Sequence, residues 1–219
     1  MKFRTEEYLD QLEAWPAGGR HILAQYDNET VVVYQAYRPA ISRFAVSHGY
    51  FGGEWSLSRM TWIRPGFLWM MNRSRWARET GQEVVLAVYL ERSAFDELLT
   101  QAVHSTFVPS ACADDEAWRA AIGSSDVHLQ WDPDHDPVGA PQQRRTIQLG
   151  LRGSAATCFR REWIVHIENV TPFVHEQRER ASPSRYRQLI VPRERRYPVT
   201  DIAVATGLGL DVPPTRSHQ

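Results

Sequence analysis

A chain of 219 residues, 42% apolar and 23% charged, has the size and composition of a globular protein with a real core, which argues against a disordered, coiled-coil or collagen-like chain. Its formal net charge of −1 excludes a global electrostatic attraction to nucleic acid. It has no run of about 18 apolar residues and no hydrophobic secretory core near its N-terminus, so we expect a cytoplasmic protein with no membrane contact. Cys112 and Cys158 are its only cysteines, and we expect both to be reduced thiols.

The N-terminal part of the chain is predicted to alternate between helices and strands. Helices are indicated where apolar residues recur at helical spacing, and strands where β-branched and aromatic residues follow one another. Proline and glycine mark the breaks between them. The predicted elements are a helix over Glu6–Trp15, a strand over Thr30–Tyr37, a helix over Ala40–Ser47, a strand over Ser56–Ile63 and a helix from Pro65 to about Ala77.

The remainder of the chain is predicted to continue in the same way, with a mixed surface segment over residues 105–126. The predicted elements are a strand over Glu83–Leu90, a helix over Ser93–Val103, a strand over Val127–Trp131, a long loop over Pro133–Pro141, a strand over Arg145–Leu151, a helix over Ser154–Arg161, a strand over Trp163–Val170 and a helix over Pro172–Ala181. After about Arg193 the chain is polar and rich in proline and glycine, so we expect one domain over residues 1–192 and a loosely ordered tail over 193–219. Strands mixed with short helices, without a long βαβ rhythm, predict an α+β fold with a bent or split, mainly antiparallel sheet.

Arginine and tryptophan are concentrated between Tyr34 and Trp76. This window contains one acid, Glu54, and the following basic and indole side chains: Arg38, Arg43, Arg59, Arg64, Arg73 and Arg75, with Trp55, Trp62, Trp69 and Trp76. Either the aromatic residues form core and the arginines point to solvent, or the arginines surround a cleft that binds an anion. Unpaired buried charge is unfavourable, and a guanidinium group binds phosphate or carboxylate through two hydrogen bonds, so the second interpretation predicts an anion site.

Three alternating aspartates, Asp132, Asp134 and Asp136, resemble part of a metal-binding loop. A calcium loop of the EF-hand type would need glycine and glutamate where this chain has Pro137 and Gln143. The pattern therefore favours an Asp/Pro turn that caps its own backbone, and we expect no metal.

The predicted strand over Trp163–Val170 has one polar and one apolar face, since side chains two residues apart share a face. The polar face is predicted to carry Glu162, Ile164, His166 and Glu168, and the core face Trp163, Val165 and Ile167. The polar face is either solvated or part of a site in which one glutamate faces the arginine-rich window.

Several long strings of the sequence resemble one family of microbial and fungal proteins. They are AQYDNETVVVYQAYRP, FGGEWSLSRMTWIRPGFLWMMNRSRWA, VHLQWDPDHD, RTIQLGLRG and EWIVHIENVTPFV, which together span about Ile22 to Val174. On these strings the chain is identified as a member of the family catalogued as domain of unknown function 4291, a name that implies no activity.

The order of predicted elements is also similar to that of the ADP-ribosyltransferase-like fold, whose members split NAD between nicotinamide and ribose. That similarity implies an NAD-using transferase, with nucleic acid, a protein or a small molecule as acceptor. By order along the chain, it implies catalytic roles for Tyr37, Arg59 and Glu162. The implied NAD-binding residues, which hold the pyrophosphate or stack on nicotinamide, are Gln35, Arg38, Ser56, Ser58, Trp62 and Arg73.

Two other classes of function are consistent with the same residues. One is a non-catalytic nucleotide- or RNA-binding module in which arginines contact phosphates and aromatic side chains stack on bases. The other is an interaction protein whose aromatic patch packs on a partner.

Overall fold

Twelve strands and eight α-helices make up the part of the chain that the computed structural model describes, residues 1–211. The strands are β1 (Thr5–Glu7), β2 (Gly19–Arg20), β3 (Leu23–Ala24), β4 (Thr30–Tyr37), β5 (Thr61–Ile63), β6 (Val84–Glu91), β7 (Val103–His104), β8 (Val127–His135), β9 (Pro141–Leu151), β10 (Ile164–Asn169), β11 (Ile190–Pro192) and β12 (Arg195–Arg196). The helices are α1 (Tyr8–Ala14), α2 (Pro39–His48), α3 (Phe67–Ser74), α4 (Arg92–Gln101), α5 (Asp115–Ser124), α6 (Gly153–Arg161), α7 (Thr171–Arg178) and α8 (Ile202–Leu208), with a 3₁₀ helix over Pro183–Gln188. None of these helices is long and apolar enough to cross a bilayer.

The strands form two main sheets. One has the order β10-β6-β4 and is antiparallel throughout. The other has the order β2-β9-β8-β7, with β5 antiparallel to the end of β9, while β2 and β7 pair in parallel. Two further pairs, β1 with β11 and β3 with β12, are antiparallel. The predicted α+β fold with a split, mainly antiparallel sheet is confirmed.

The three-stranded sheet lies between two hydrophobic cores. Alternate residues of β4 point to opposite faces, so Val31 and Val33 enter one core and Val32 and Tyr34 the other. The first core is closed by side chains of β8 and β9, and the second by side chains of α1, α3 and α7. Burial on both faces explains why β4 and β6 are almost uninterrupted apolar sequences.

The two main sheets meet at a single backbone bond. The Tyr34 N–H of β4 donates to the Arg64 carbonyl, just after β5, at 2.6 Å. Beyond this contact β4 continues to Tyr37 as an edge strand, while the chain leading into β5 diverges from it. The split that follows opens the cavity described below.

Several boundaries differ from the sequence prediction. The predicted strand over Ser56–Ile63 is reduced to β5, because the Ser56 hydroxyl accepts the Ser58 N–H and turns the preceding segment. The predicted loop over Pro133–Pro141 is instead a hairpin, in which β8 and β9 are joined by residues 136–140. The helix α5, in the segment predicted only as mixed surface, begins where Asp114 accepts the Ala117 N–H at 2.8 Å.

The hairpin gives the three aspartates separate partners. Asp136 caps the turn, because its Oδ1 accepts the backbone N–H of Val138 and of Ala140, as the Asp/Pro turn predicted. Asp134 forms a buried ion pair with Arg144, and Asp132 accepts the side-chain amide of Gln148. Among the described residues, no three histidine, cysteine or acidic side chains converge as metal ligands would.

The face assignment on β10 was partly wrong. Ile167 is buried as predicted, but Val165 is 54% exposed and Ile164 packs against the core instead. The register shifts between Ile164 and His166, so the two-residue alternation is broken there.

Residues 193–211, part of the segment predicted as a loosely ordered tail, contain β12 and α8 and pack on the rest of the chain. Glu194 is buried, and its carboxylate accepts the Phe67 N–H at the start of α3 at 2.7 Å. Tyr197 and Leu208 enter the first core. These contacts use single side chains rather than an apolar run, which is why the composition of this segment did not indicate order. The rest of that predicted tail, 212–219, lies outside the described residues.

Candidate functional site

A cavity of about 560 Å³ opens where β4 and the chain before β5 diverge. This volume falls in the range of small-molecule sites, about 300–1,000 Å³. Its walls come from the end of β4, the start of α2, the segment before β5, α3 and the turn before β6. The lining residues are Gln35, Ala36, Tyr37, Arg38, Ile41, Glu54, Trp55, Ser56, Arg59, Met60, Thr61, Trp62, Arg64, Met70, Arg73, Gly81 and Gln82.

The edge of β4 presents free backbone groups to this cavity. The Val32 N–H points away from β6 and donates to the Gln25 carbonyl, and the Tyr34 N–H points the same way and donates to the Arg64 carbonyl. Ala36 is the next residue of the same parity, so its N–H and C=O point to the same edge. No backbone partner for Ala36 occurs at that edge within residues 1–211. The cavity therefore contains an unpaired strand edge able to bind a planar amide or a base edge.

A hydrogen-bond network fixes the polar side chains at the base of the cavity. The Gln35 amide donates to Thr61 Oγ1 at 2.8 Å and to the Trp62 carbonyl at 3.1 Å. The Tyr37 hydroxyl accepts the Trp55 indole N–H at 3.0 Å and lies 3.3 Å from Thr61 Oγ1. Burial raises the pKa of Tyr37, so the phenol is neutral at pH 7. Gln35 is only 3% exposed, yet its Oε1 has no partner in the described structure.

The charge of the lining is strongly positive. Four arginines and one glutamate line the cavity, which gives a net charge of +3 in a chain whose total is −1. Arg38 and Glu54 form an ion pair, and both are more than half exposed. Arg59 and Arg73 are exposed and form no ion pair within residues 1–211. Such a surface attracts anions.

Among the arginines of the lining, Arg64 is held by both a ring contact and a backbone carbonyl. Its guanidinium lies 4.2 Å from the centre of the Trp69 ring and donates through Nη1 to the Trp62 carbonyl at 3.2 Å. Its Nε is buried without a partner, and no carboxylate of the described chain lies within ion-pair distance. Burial, together with repulsion from Arg73, lowers the pKa of Arg64 to about 10, against the attraction of Asp132. The group is still charged at pH 7, so it is a partly desolvated cation that lacks an anion.

Trp62 forms an aromatic wall because Gly150 lies behind it. A Cβ atom at Gly150 would come within 2.5 Å of Met60 Sδ and 3.0 Å of the Trp62 ring. Gly150 pairs with Trp62 across β9 and β5. The missing side chain thus allows the indole to lie close to the sheet and face the cavity.

The structure brings together seven of the nine residues that the sequence singled out. Those that line the cavity are Gln35, Tyr37, Arg38, Ser56, Arg59, Trp62 and Arg73. Ser58 does not line it, but its hydroxyl lies 2.8 Å from that of Ser56.

Glu162 is not at the cavity. It is the exposed residue that ends α6, where its N–H donates to the Cys158 carbonyl. Glu168, the other predicted glutamate, lies on β10, which β6 separates from β4, and it accepts the Tyr89 hydroxyl at 2.8 Å. Neither carboxylate therefore lines the cavity, whereas Glu54 does.

Arg64 was missed as a site residue. Its neighbours along the chain gave only a weak signal, an arginine before Pro65 at the end of a predicted strand. What distinguishes it is burial against Trp69, which depends on how α3 folds back onto β5. Thr61, whose hydroxyl joins Gln35 to Tyr37, was missed for the same reason.

Comparison with known proteins places most of the chain in one family. The family profile described as Domain of unknown function (DUF4291) matches residues 21–197, which include the whole lining of the cavity. No curated protein matches the chain.

Proposed function

The chain belongs to the DUF4291 family, and we propose that it is a nucleotide-using enzyme, similar to ADP-ribosyltransferases, that binds NAD in the arginine-lined cavity. The observation that carries this proposal is Arg64, a partly buried guanidinium with no carboxylate of residues 1–211 within ion-pair distance, in a lining of net charge +3. Perturbed charges in a concave site are typical of binding and catalytic residues.

Phosphate is the anion that best fits this lining. Arginine binds phosphate oxygens through two parallel N–H donors. The cavity offers four guanidinium groups, and within residues 1–211 only that of Arg38 is paired with an acid. A pyrophosphate would place its charge against Arg64 and Arg73 and relieve the repulsion between them. Arg59, exposed at the rim, would neutralise the remaining charge.

The rest of the lining suits a heterocycle joined to those phosphates. Trp62 and Tyr37 provide aromatic surface, while the backbone N–H and C=O of Ala36 provide an unpaired donor and acceptor within the described residues. A planar ring bearing an amide or amino group can use both, as an added strand uses an open sheet edge. Nicotinamide and adenine both satisfy this requirement.

The proposed reaction transfers ADP-ribose from NAD to an acceptor. The bond between ribose C1′ and the nicotinamide nitrogen breaks, and its electron pair stays on nicotinamide. The acceptor then bonds to C1′ and gives its proton to a carboxylate or to water. Positive charge develops on the ribose, so a fixed carboxylate nearby stabilises the transition state. Glu54 takes this role in our proposal, because it is the carboxylate that lines the cavity and Glu162 is outside it.

A second candidate is a nucleotide- or RNA-binding module without catalysis. The specific observation in its favour is the ion pair between Glu54 and Arg38, which neutralises the carboxylate of the lining. In that case the arginines and Trp62 bind phosphate and base, and no bond is broken.

The test combines NAD binding with nicotinamide release. NAD at about 100 times its Kd should stabilise the native state by about 2.7 kcal/mol, which corresponds to a rise in Tm of roughly 5–10 °C for a chain of this size. The matched pair of variants is Arg64→Met in the cavity and Arg119→Met on α5, and only the first should lose the shift.

The outcomes separate the candidates. Nicotinamide release that is lost in the Glu54→Gln variant supports the transferase. A Tm shift with ATP or an oligonucleotide, without release of nicotinamide from NAD, supports the binding module. No shift and no release at millimolar NAD would sink the NAD proposal.

A further inference from the structure

A second arginine-lined cavity, of about 470 Å³, lies on the other side of α3. We infer that it binds one nucleotide unit of a single-stranded nucleic acid. Binding of the strand at this site does not depend on the proposed reaction. We also infer that the bound strand is the acceptor of ADP-ribose, and this second role rests on the proposed function. The second cavity is formed by the end of α3, the turn after it and the hairpin between β8 and β9. Its lining residues are Met71, Asn72, Arg75, Trp76, Arg78, Pro137, Val138, Gly139 and Arg178.

The two cavities are separated by roughly the thickness of one helix. Met70 and Arg73 line the first cavity, and the adjacent Met71 and Asn72 line the second. The diameter of an α-helix with its side chains is about 10–12 Å. A strand of a few nucleotides bound in the second cavity is long enough to reach the first.

An unusual turn builds the second cavity. Arg75, Trp76 and Ala77 are three consecutive non-glycine residues in the left-handed region, with φ of 49°, 55° and 63°. This conformation costs about 1–2 kcal/mol per residue, and such strain is concentrated at functional sites. Burial of Trp76 holds the turn, since its indole N–H donates to the Pro137 carbonyl at 3.1 Å. The turn carries Arg75 and Arg78 to the same cavity.

The charge of this cavity is also positive. Of the residues that the structure describes, three arginines and no acid line it. Arg75 Nε lies 3.2 Å from Glu79 Oε2, and Arg178 Nη2 lies 3.4 Å from Glu179 Oε1. Exposed pairs of this kind contribute little, so both guanidinium groups keep N–H donors for a ligand. The Arg78 side chain has no partner among residues 1–211.

The walls favour a nucleotide over an acidic peptide. Trp76, Val138 and Pro137 supply an apolar surface beside the guanidinium groups, which suits a base attached to a phosphate. A concave cavity accepts an unstacked base, so a single strand fits it and a duplex does not. Both cavities have arginines in their lining, and a strand carries a phosphate at every nucleotide.

The experiment measures binding of a labelled ten-nucleotide single-stranded RNA by fluorescence anisotropy at several salt concentrations. The Arg75→Ala/Arg78→Ala variant is compared with Arg4→Ala/Arg119→Ala, which removes two exposed arginines elsewhere. We expect at least a tenfold loss of affinity for the first variant only. The slope of log affinity against log salt should fall in magnitude by about 1.4, or about 0.7 for each lost phosphate contact.

Each remaining outcome has a defined meaning. An equal loss in both double variants overturns the assignment, as does competition by polyglutamate as strong as competition by RNA. If the double variant does not fold, Arg78→Gln removes an unpaired exposed charge and should lower the slope by about 0.7. The NAD-induced Tm shift should be unchanged in Arg75→Ala/Arg78→Ala, so failure of NAD binding and failure of RNA binding are scored separately.

Discussion

Replacing Arg64 by methionine should stabilise the free protein while abolishing ligand binding. Methionine keeps an unbranched apolar stem against Trp69 but removes the charge. Burial lowers the pKa of Arg64 from 12.5 to about 10. At about 1.36 kcal/mol per pKa unit, this shift corresponds to roughly 3 kcal/mol of destabilisation by the charged group.

The sign of this effect follows from linkage. A base whose pKa is lower in the folded state than in the unfolded state destabilises the folded state when it is protonated. Because pH 7 lies below both pKa values of Arg64, 12.5 and about 10, the whole destabilisation is present at pH 7. The cation–π contact with Trp69 returns up to about 2 kcal/mol. A net gain of about 1 kcal/mol is therefore expected for Arg64→Met, which raises Tm by about 2–4 °C.

The assay is thermal and urea unfolding of Arg64→Met with and without NAD, beside the exposed control Arg119→Met. We expect a higher Tm without ligand and no further shift with NAD. The control should retain the NAD shift and match the parent within about 0.5 kcal/mol. An Arg64→Met protein that is less stable than the parent and still shifted by NAD would refute the reasoning.

Three further substitutions test separate parts of the argument. Glu162→Gln should leave nicotinamide release unchanged, because Glu162 lies outside the cavity lining. Glu54→Gln should lower turnover by at least tenfold yet bind NAD as tightly as the parent or more so in calorimetry, since it frees Arg38 for phosphate. Glu194→Gln should remove a pH dependence of stability, because burial raises the pKa of Glu194 well above 4.5 in the folded state. A raised carboxyl pKa means that the folded state binds a proton that the unfolded state has lost, so the free energy of unfolding decreases as pH rises above about 4.5. Denaturation midpoints measured from pH 5 to 8 should therefore fall more in the parent than in Glu194→Gln.

For each of these three variants, one result would contradict the expected outcome. Loss of turnover in Glu162→Gln would return that residue to the reaction. Weaker NAD binding in Glu54→Gln would mean that the carboxylate contacts the ligand before the chemical step. Parallel pH profiles for Glu194→Gln and its parent would show that the buried carboxyl does not titrate in this range.

The sequence was informative where structure is local. The strand Thr30–Tyr37 was predicted with its observed bounds, because the segment is rich in β-branched and aromatic residues. Most of the cavity comes from the single window between Tyr34 and Trp76, so an excess of arginine and tryptophan there was enough to locate it.

The sequence failed where distant segments meet. Glu194 caps α3 from a position 127 residues away, and nothing in its own neighbourhood indicates burial. The order of elements implied a catalytic role for Glu162, but in the fold this residue follows α6 and does not line the cavity. Chain order does not determine which segments come together around a cavity, so the sequence left open whether either glutamate faces the arginines.

A second buried arginine in the same protein shows what Arg64 lacks. Arg144 lies 5.0 Å from the Trp15 ring and donates to the Pro16 carbonyl, much as Arg64 lies on Trp69 and donates to the Trp62 carbonyl. The difference is the carboxylate, since Arg144 forms a buried ion pair with Asp134 at 2.7 Å.

Removing the partner of a buried charge usually costs about 3–5 kcal/mol, so a fold that pairs one of these two arginines has a physical reason to pair the other. The unpaired arginine is the one that lines an open cavity, and the paired one lines neither of the two arginine-rich cavities. Asp134 supplies the negative charge beside Arg144. Beside Arg64, we propose that a phosphate group of the ligand takes the corresponding position. Ligand binding should therefore give Arg64 the charged partner that it lacks in the free protein. For this reason Arg64→Met should raise the stability of the free protein but abolish ligand binding.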